Sequence, residues 1–286
     1  MPIGTQGKSP LIQIASLHIY PVKSCGPTRL DRMRIDARGP VDDRRLMIVD
    51  NDGIFITQRT EPRLALVHVA RNGNRLMLEA PKKSSLSTTI EHGAMRPIEV
   101  WRHRGPAHQA SPQGSAWLSE FLKREVTLVA CPDDMDRIAN PDWAVATTPV
   151  SFVDGYPILI LSEESVAELN RRLDTPVDVM RFRPNIVLRG CPPFAEDRWK
   201  TLRIGNTIVD VLKPCDRCSV ITIDPQTAAS GKEPLTTLAT FRKSPAGILF
   251  GQNGATREPA LLETGAEVEV LAERPPEELP PEFRLP

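Results

Sequence analysis

Lys213-Pro214-Cys215-Asp216-Arg217-Cys218-Ser219-Val220 is the stretch on which the reading of this chain turns. An alternating apolar run, Ile204–Leu212 (IGNTIVDVL), precedes it, and Val220-Ile221-Thr222-Ile223 follows. Both flanks are rich in β-branched residues and read as strands. Pro214 cannot donate to a ladder, so the two cysteines are expected on a bend between strands. Arg217 between the thiols and Lys213 beside them favour thiolate, the form that attacks substrates and binds metals. Three readings compete. A structural zinc site wants a second ligand pair, and the five histidines all lie in the first half. A redox pair wants a helix start rather than flanking strands. The third reading is a single working thiolate. Spacing alone does not say which cysteine works, and a Cys215–Cys218 disulfide stays open.

The 286 residues, 40% apolar and 25% charged, fit a globular protein of one large or two smaller domains. Thirty-six basic and thirty-six acidic side chains cancel, so no global field points to nucleic acid or an anionic membrane. Any anion site must be local. Twenty-eight prolines and few aromatics predict short strands and many turns. No signal peptide or membrane span is read at the N-terminus, and five scattered cysteines are expected as free thiols in a reducing cytoplasm.

Outward from the cysteines, Leu11–Tyr20 alternates as a strand and runs into Pro21-Val22-Lys23-Ser24-Cys25-Gly26-Pro27. The residues of that loop by themselves read first as an exposed turn, with an anion cradle of a lysine and a hydroxyl as the functional alternative. Arg44 and Arg45 stand at the mouth of Leu46–Val49, free either to pair with neighbouring aspartates or to aim at a ligand. Thr28–Asp36, Ile54–Gln58, Leu64–Ala70, Arg75–Glu79, Pro97–Arg102 and Val126–Ala130 read as further strands, with Lys82–Ser87 a polar loop. Ser115–Lys123 reads as a short helix. Residues 131–149 read as a linker. The second half opens with the turn Asp154-Gly155-Tyr156-Pro157, the buried strand Ile158–Leu161 and a helix Glu163–Leu173 capped by Ser162. Arg183 and Asn185 flank Pro184 before the strand through Leu188, and Glu233–Arg242 is a second helix candidate. Residues 273–286 read as an extended or disordered proline-rich tail.

Several separated motifs then stand together: YPVKSCGP near the start, ITQRTEPRLALV, DGYPILILSEES, FRPNIVLRGC, AEDRWKTLRIG, KPCDRCSVITIDPQTAASGKEPLTTL and FGQN. Their order from about Leu11 to Leu271 resembles the MOSC-domain family with its N-terminal β-barrel domain, the group that includes the mitochondrial amidoxime reducing component and bacterial relatives. The resemblance implies an α+β, mainly β fold: a β-rich N-terminal domain (11–130), a linker (131–149), a MOSC β-barrel domain (150–272), the tail, and a few short helices. It implies the molybdenum cofactor, Mo-molybdopterin, with Cys218 as metal ligand and Cys215 as a structural neighbour. Lys23 and Ser24 are then expected on the molybdopterin phosphate, with Arg44, Arg183, Asn185 and Arg217 as further cofactor contacts. Mitochondrial members carry a different tripeptide at 154–156, so no contact is carried over there. Asp154, in a turn before a buried strand, is read as a proton donor. The implied activity is reduction of a small N-hydroxylated substrate. No cysteine follows Cys218, so no iron–sulfur cluster is expected in this chain, and electrons would come from a separate protein of ferredoxin or cytochrome type. The alternative is a cofactor carrier or sulfur-transfer protein working through Cys218. A β-rich binding module with incidental thiols is a third reading.

Overall fold

The computed structural model describes residues 11–143 and 147–285. The largest sheet has nine strands. Its order begins Val268–Glu273, Trp199–Ile204, Thr207–Asp216, Gly247–Thr256, then Ile158–Ser162, Ile186–Arg189, Gln13–Ile19 and Thr28–Leu30, with Lys243–Ser244 paired to Gly247–Thr256. Only Ile158–Ser162 and Ile186–Arg189 run parallel among its pairings; the helix Glu163–Asn170 makes that crossover. The sheet curls until Gln13 bridges Glu267 and Ile14 N–H donates to Ala266 O at 2.9 Å. Strand Gln13–Ile19, first in sequence, is therefore a stave of a sheet otherwise built mostly from the second half. Alternation fills this sheet's core with Ile14, Leu17, Ile160, Ile186, Leu188, Trp199, Leu202 and Val211.

A second core is enclosed by residues from the first half, including Val22, Leu46, Ile48, Leu64, Leu76, Leu78, Leu118 and Leu128. Here Leu46–Val49, Thr127–Ala130, His103–Gln109 and Met95–Val100 form one sheet, and His68–Asn72, Arg75–Ala80 and Lys83–Thr89 another. The helix Pro112–Leu122 closes it, capped by Ser111 Oγ accepting from Gly114 N–H at 3.0 Å. The mainly β fold and its few short helices agree with the sequence expectation. Among the described residues, no helix is long and apolar enough to cross a membrane.

Several local readings are corrected. Lys82–Ser87 is not a loop: Lys83–Thr89 is a strand with a largely solvated, Ser/Thr-rich face, so it lacks apolar alternation. Val220–Ile223 is not a strand but falls in the 3-10 turn Ser219–Thr222, where Thr222 Oγ1 donates to Ser219 O at 2.8 Å and Ile221 and Ile223 are buried. Pro214 lies inside the strand Thr207–Asp216, tolerated because the register shifts on either side of it. Cys215 therefore belongs to a strand and Cys218 lies just beyond its end. Residues 62–66 form a 3-10 turn opened by Pro62, and the helix near 235 spans only Leu235–Ala239. Ile54–Gln58 contributes single bridges rather than a strand. The tail is not disordered over its described length: Leu279 and Phe283 pack on Leu249, and Trp143 meets Phe283 edge-on.

Gly190 shows how tightly the first strand is seated. Its φ is +89°, and a Cβ there would stand 2.3 Å from Leu11 O. Gly205, at φ +58°, faces open space. Gly190→Ala is expected to lower unfolding stability by roughly 2–4 kcal/mol, combining backbone strain with a clash, and Gly205→Ala by only about 1 kcal/mol. Urea midpoints of the two variants check the difference.

Candidate functional site

One cavity of ≈ 370 Å³ is lined by all eight residues singled out from the sequence: Lys23, Ser24, Arg44, Asp154, Arg183, Asn185, Arg217 and Cys218. The tight turn after strand Gln13–Ile19 brings in the first pair. Lys23 N–H donates to Leu46 O at 2.8 Å, Gly26 N–H to Val67 O at 2.8 Å, and Ser24 takes φ 70°. Arg44 and Arg183 also hold positive φ, 47° and 58°, as does Trp101 at 57°, another lining residue. Four non-glycine residues in a disfavoured backbone region around one cavity mark a place where the fold holds side chains against local preference.

Tyr20 and Asp43, which the sequence reading passed over, hold the centre. The buried Asp43 carboxylate accepts Tyr20 N–H at 2.8 Å and Arg44 Nη1 at 2.6 Å. The Arg44 guanidinium lies 4.5 Å from the Tyr20 ring centroid and that of Arg183 4.1 Å. Tyr20 Oη donates to Pro184 O at 3.3 Å, and burial pushes its phenol pKa well above the usual value. Burial, then repulsion from Arg44, lowers the Arg183 pKa to about 10, so it stays cationic at neutral pH. Arg183 Nη1 donates to Cys25 O at 2.8 Å. Asn185 is 1% exposed and its carboxamide is already engaged: Nδ2 donates to His18 O at 3.1 Å, and Oδ1 accepts Leu159 N–H at 3.1 Å and Arg44 Nη1 at 3.5 Å. Its work in this geometry is to strap two strands and steady Arg44.

Lys23 is 4% exposed, donates to Phe152 O at 2.8 Å, and is ion-paired with Asp154. Burial lowers its pKa, and Asp154 opposes that shift. The Asp154 side chain is 67% exposed at the mouth and also accepts Trp101 Nε1 at 3.2 Å. Enclosure by the walls pushes its pKa up, but Lys23, with Arg44 and Arg59 beyond it, outweighs that and holds it well below the ordinary carboxylate range. Asp154 is thus an acceptor here, and the proton-donor role read from sequence would require a proton that these cations oppose.

On the opposite wall, Arg217 Nη2 donates to Phe182 O at 2.6 Å and Nη1 to Cys215 Sγ at 3.0 Å. Burial raises the Cys215 pKa, with Arg217 opposing. Cys218 is exposed, and all five cysteines are free thiols. Among the described residues no three His, Cys, Asp or Glu side chains gather to hold a bare metal ion. Arg183 Nη2 and Arg217 Nε are sealed in the wall with no hydrogen-bond partner. Buried donors without acceptors cost about 1–3 kcal/mol each. Six basic side chains (Lys23, Arg44, Arg59, Arg183, Lys213, Arg217) face two carboxylates, Asp154 and Asp216, around the lining. The arrangement suits a polyanionic ligand rich in acceptors. Arg59 lies in ITQRTEPRLALV, a stretch legible as a motif without a role; Trp101 had no sequence signal.

The MOSC N-terminal beta barrel domain family matches residues 11–125 and the MOSC domain family residues 147–269. The chain is 33% identical over 283 residues to the human mitochondrial amidoxime-reducing component 1, covering 91% of this chain and 83% of that protein. The mouse counterpart is also 33% identical, over 91% of this chain and 82% of its own length. A molybdenum cofactor sulfurase of Oryza sativa subsp. japonica is 30% identical over 84% of this chain but only 32% of its own length.

Burial pushes the Cys25 and Cys191 thiols up to about 12, while Cys218 stands open at the cavity. Brief alkylation of the folded protein near pH 7.5 is expected to modify Cys218 first and to leave Cys25 and Cys191 intact until the protein unfolds. Peptide mass mapping reads the order.

Proposed function

The chain belongs to the MOSC family, in the form that joins a MOSC N-terminal beta barrel domain to a MOSC domain, and from that premise we propose that it is a molybdenum-cofactor-dependent reductase of N-hydroxylated compounds. The observation that carries this reading is the convergence of Lys23, Ser24, Arg44, Arg183, Arg217 and Cys218 on one cavity. When bound, the cofactor supplies the two-electron chemistry that turns an N-hydroxylated base into the parent base and water. The rest falls to the chain. Lys23 and the Ser24 hydroxyl hold the phosphate of molybdopterin, the lysine as a buried point charge. Arg44 and Arg183, both held against the Tyr20 ring, offer forks of donors to the polar edges of the pterin. Asn185 keeps Arg44 in place through its bonds to both strands. Arg217 steadies the loop through Phe182 O and keeps Cys215 occupied, which leaves Cys218 as the thiolate presented to the metal. The guanidinium groups of Arg183 and Arg217, which line the cavity with more donors than the protein supplies acceptors for, support the fit of an acceptor-rich anion.

The electrons for turnover come, in this reading, from a separate donor protein of ferredoxin or cytochrome type. A small substrate reaches the site through the open mouth beside Cys218. A second reading, carriage of the cofactor or of sulfur on Cys218, is favoured by the likeness to the rice sulfurase and by the exposure of that thiol. The two differ in turnover: a carrier binds and releases, and does not reduce.

Protein made in cells that synthesise the cofactor is expected to contain about one molybdenum and one pterin per chain. Cys218→Ser should lose most of the metal while retaining pterin, and Arg183→Ala should lower both; metal analysis and pterin fluorescence after acid oxidation measure this. Reduction of benzamidoxime with an artificial electron donor, abolished in Cys218→Ser, separates the reductase from the carrier. A loaded wild type that does not reduce it would favour the carrier.

A further inference from the structure

Asp154 is the one carboxylate set against the deepest cation of the cavity. We propose that it is the site's own competing anion, a specificity-determining residue that withholds Lys23 from weak anions and yields it to a dianionic phosphomonoester. The proposal rests on the reading of Lys23 and Ser24 as phosphate-holding residues.

The geometry carries it in three steps. Lys23 Nζ, nearly closed off from solvent, has Asp154 and Phe152 O as its partners, with the Phe55 and Trp101 ring centroids 5.7 and 5.8 Å away. An incoming anion meets an ammonium that is already neutralised. The backbone that presents Asp154 is pinned. Arg137 donates to Val153 O at 2.7 Å and to Asp154 O at 3.2 Å, Phe152 N–H donates to Arg44 O at 3.1 Å, and Ser151 Oγ donates to Asp43 O at 3.1 Å. What remains free to turn is the carboxylate itself, next to Gly155, around which there is open space. Finally, Lys23 is not its only partner at the rim. Trp101 Nε1 already donates to Asp154, and exposed Arg59 stacks on the Trp101 ring at 4.6 Å and adds its charge to the field at Asp154. Asp154 can thus leave Lys23 without losing every partner.

Charge then sets the selectivity. A monoanion offers Lys23 no more charge than the tethered carboxylate, which also has the advantage of effective concentration. A phosphomonoester brings about two charges and three acceptor oxygens, enough to engage Lys23, Ser24 and Arg44 together.

The test needs no molybdenum. The full chain is produced in cells that do not make the cofactor, and binding of inorganic phosphate, phenyl phosphate and acetate is measured by calorimetry. Asp154→Asn and Asp154→Ser are expected to bind both phosphates about five- to tenfold tighter than wild type and to bind acetate, which wild type rejects. Asp154→Glu should restore wild-type behaviour, and Lys23→Met should abolish binding in every background. A gain for phenyl phosphate equal to that for inorganic phosphate assigns the site to phosphomonoesters; a gain for inorganic phosphate alone overturns that part of the assignment. Unchanged or weaker phosphate binding in both Asp154→Asn and Asp154→Ser overturns the proposal, as does the absence of phosphate binding in all forms. No gain in the cofactor-free Asp154 variants, when wild type made in cofactor-producing cells does carry molybdenum and pterin, sinks the role of Asp154 and leaves the cofactor reading standing.

Discussion

The Tyr20 ring, with the guanidinium groups of Arg44 and Arg183 against it, is the contact on which the site depends. Two like charges brought this close repel each other, and burial makes the repulsion harder to screen. The structure offsets it with Asp43, buried and bonded to both Arg44 and the Tyr20 backbone, and with the electron-rich face of the ring. Remove that arrangement and neither arginine has a reason to stay at the cavity. The strap from Asn185 and the bond from Arg183 to Cys25 O complete the frame. The contacts of Arg183 with Tyr20 and Cys25 and of Asn185 with Arg44 and His18 join the first half of the chain to the second, so the site itself helps tie the halves together.

This gathers positive charge in one place within a chain of zero net charge. The cations are not concentrated in sequence; they are concentrated in space, and acidic residues elsewhere balance them. The cost shows in the backbone. Ser24, Arg44, Trp101 and Arg183 all hold positive φ around the cavity. It also shows in the sealed nitrogens that lack partners. Both are features a stability-optimised surface would avoid, and at this cavity they fall on residues that line it.

The two cysteines of the central stretch have different fates for a simple reason. Pro214 and the register shifts beside it bend the end of the strand Thr207–Asp216, and Arg217 N–H anchors to Ile248 O at 2.8 Å. Cys215 therefore stays in the sheet, against the Arg217 guanidinium, while Cys218 begins the following 3-10 turn with its thiol exposed. Spacing in the sequence says the two thiols are near each other; only the bulged strand end says that one is occupied and the other presented.

The sequence by itself determined the mainly β class, the turn after Leu11–Tyr20, the Ser162 cap, and, through motif order, eight residues that meet in one cavity. These are legible because alternation, proline and capping hydroxyls act over a few residues, and a motif keeps its residues in order. Tertiary structure decided the rest. The strand Lys83–Thr89 has no apolar stripe, so only its pairing with Arg75–Ala80 makes it a strand. The run Val220–Ile223 has strand-like composition, but it forms a 3-10 turn whose Ile221 is buried in the cluster that includes Phe182 and Phe250. Tyr20, Asp43, Arg59 and Trp101 carry no local signal of their roles. Their placement follows from how the two cores meet, and from a register in which Gln13 faces Arg189 and bridges Glu267. Local preference governs which segments form; long-range register governs which side chains face each other, and the site is made of the second kind of information.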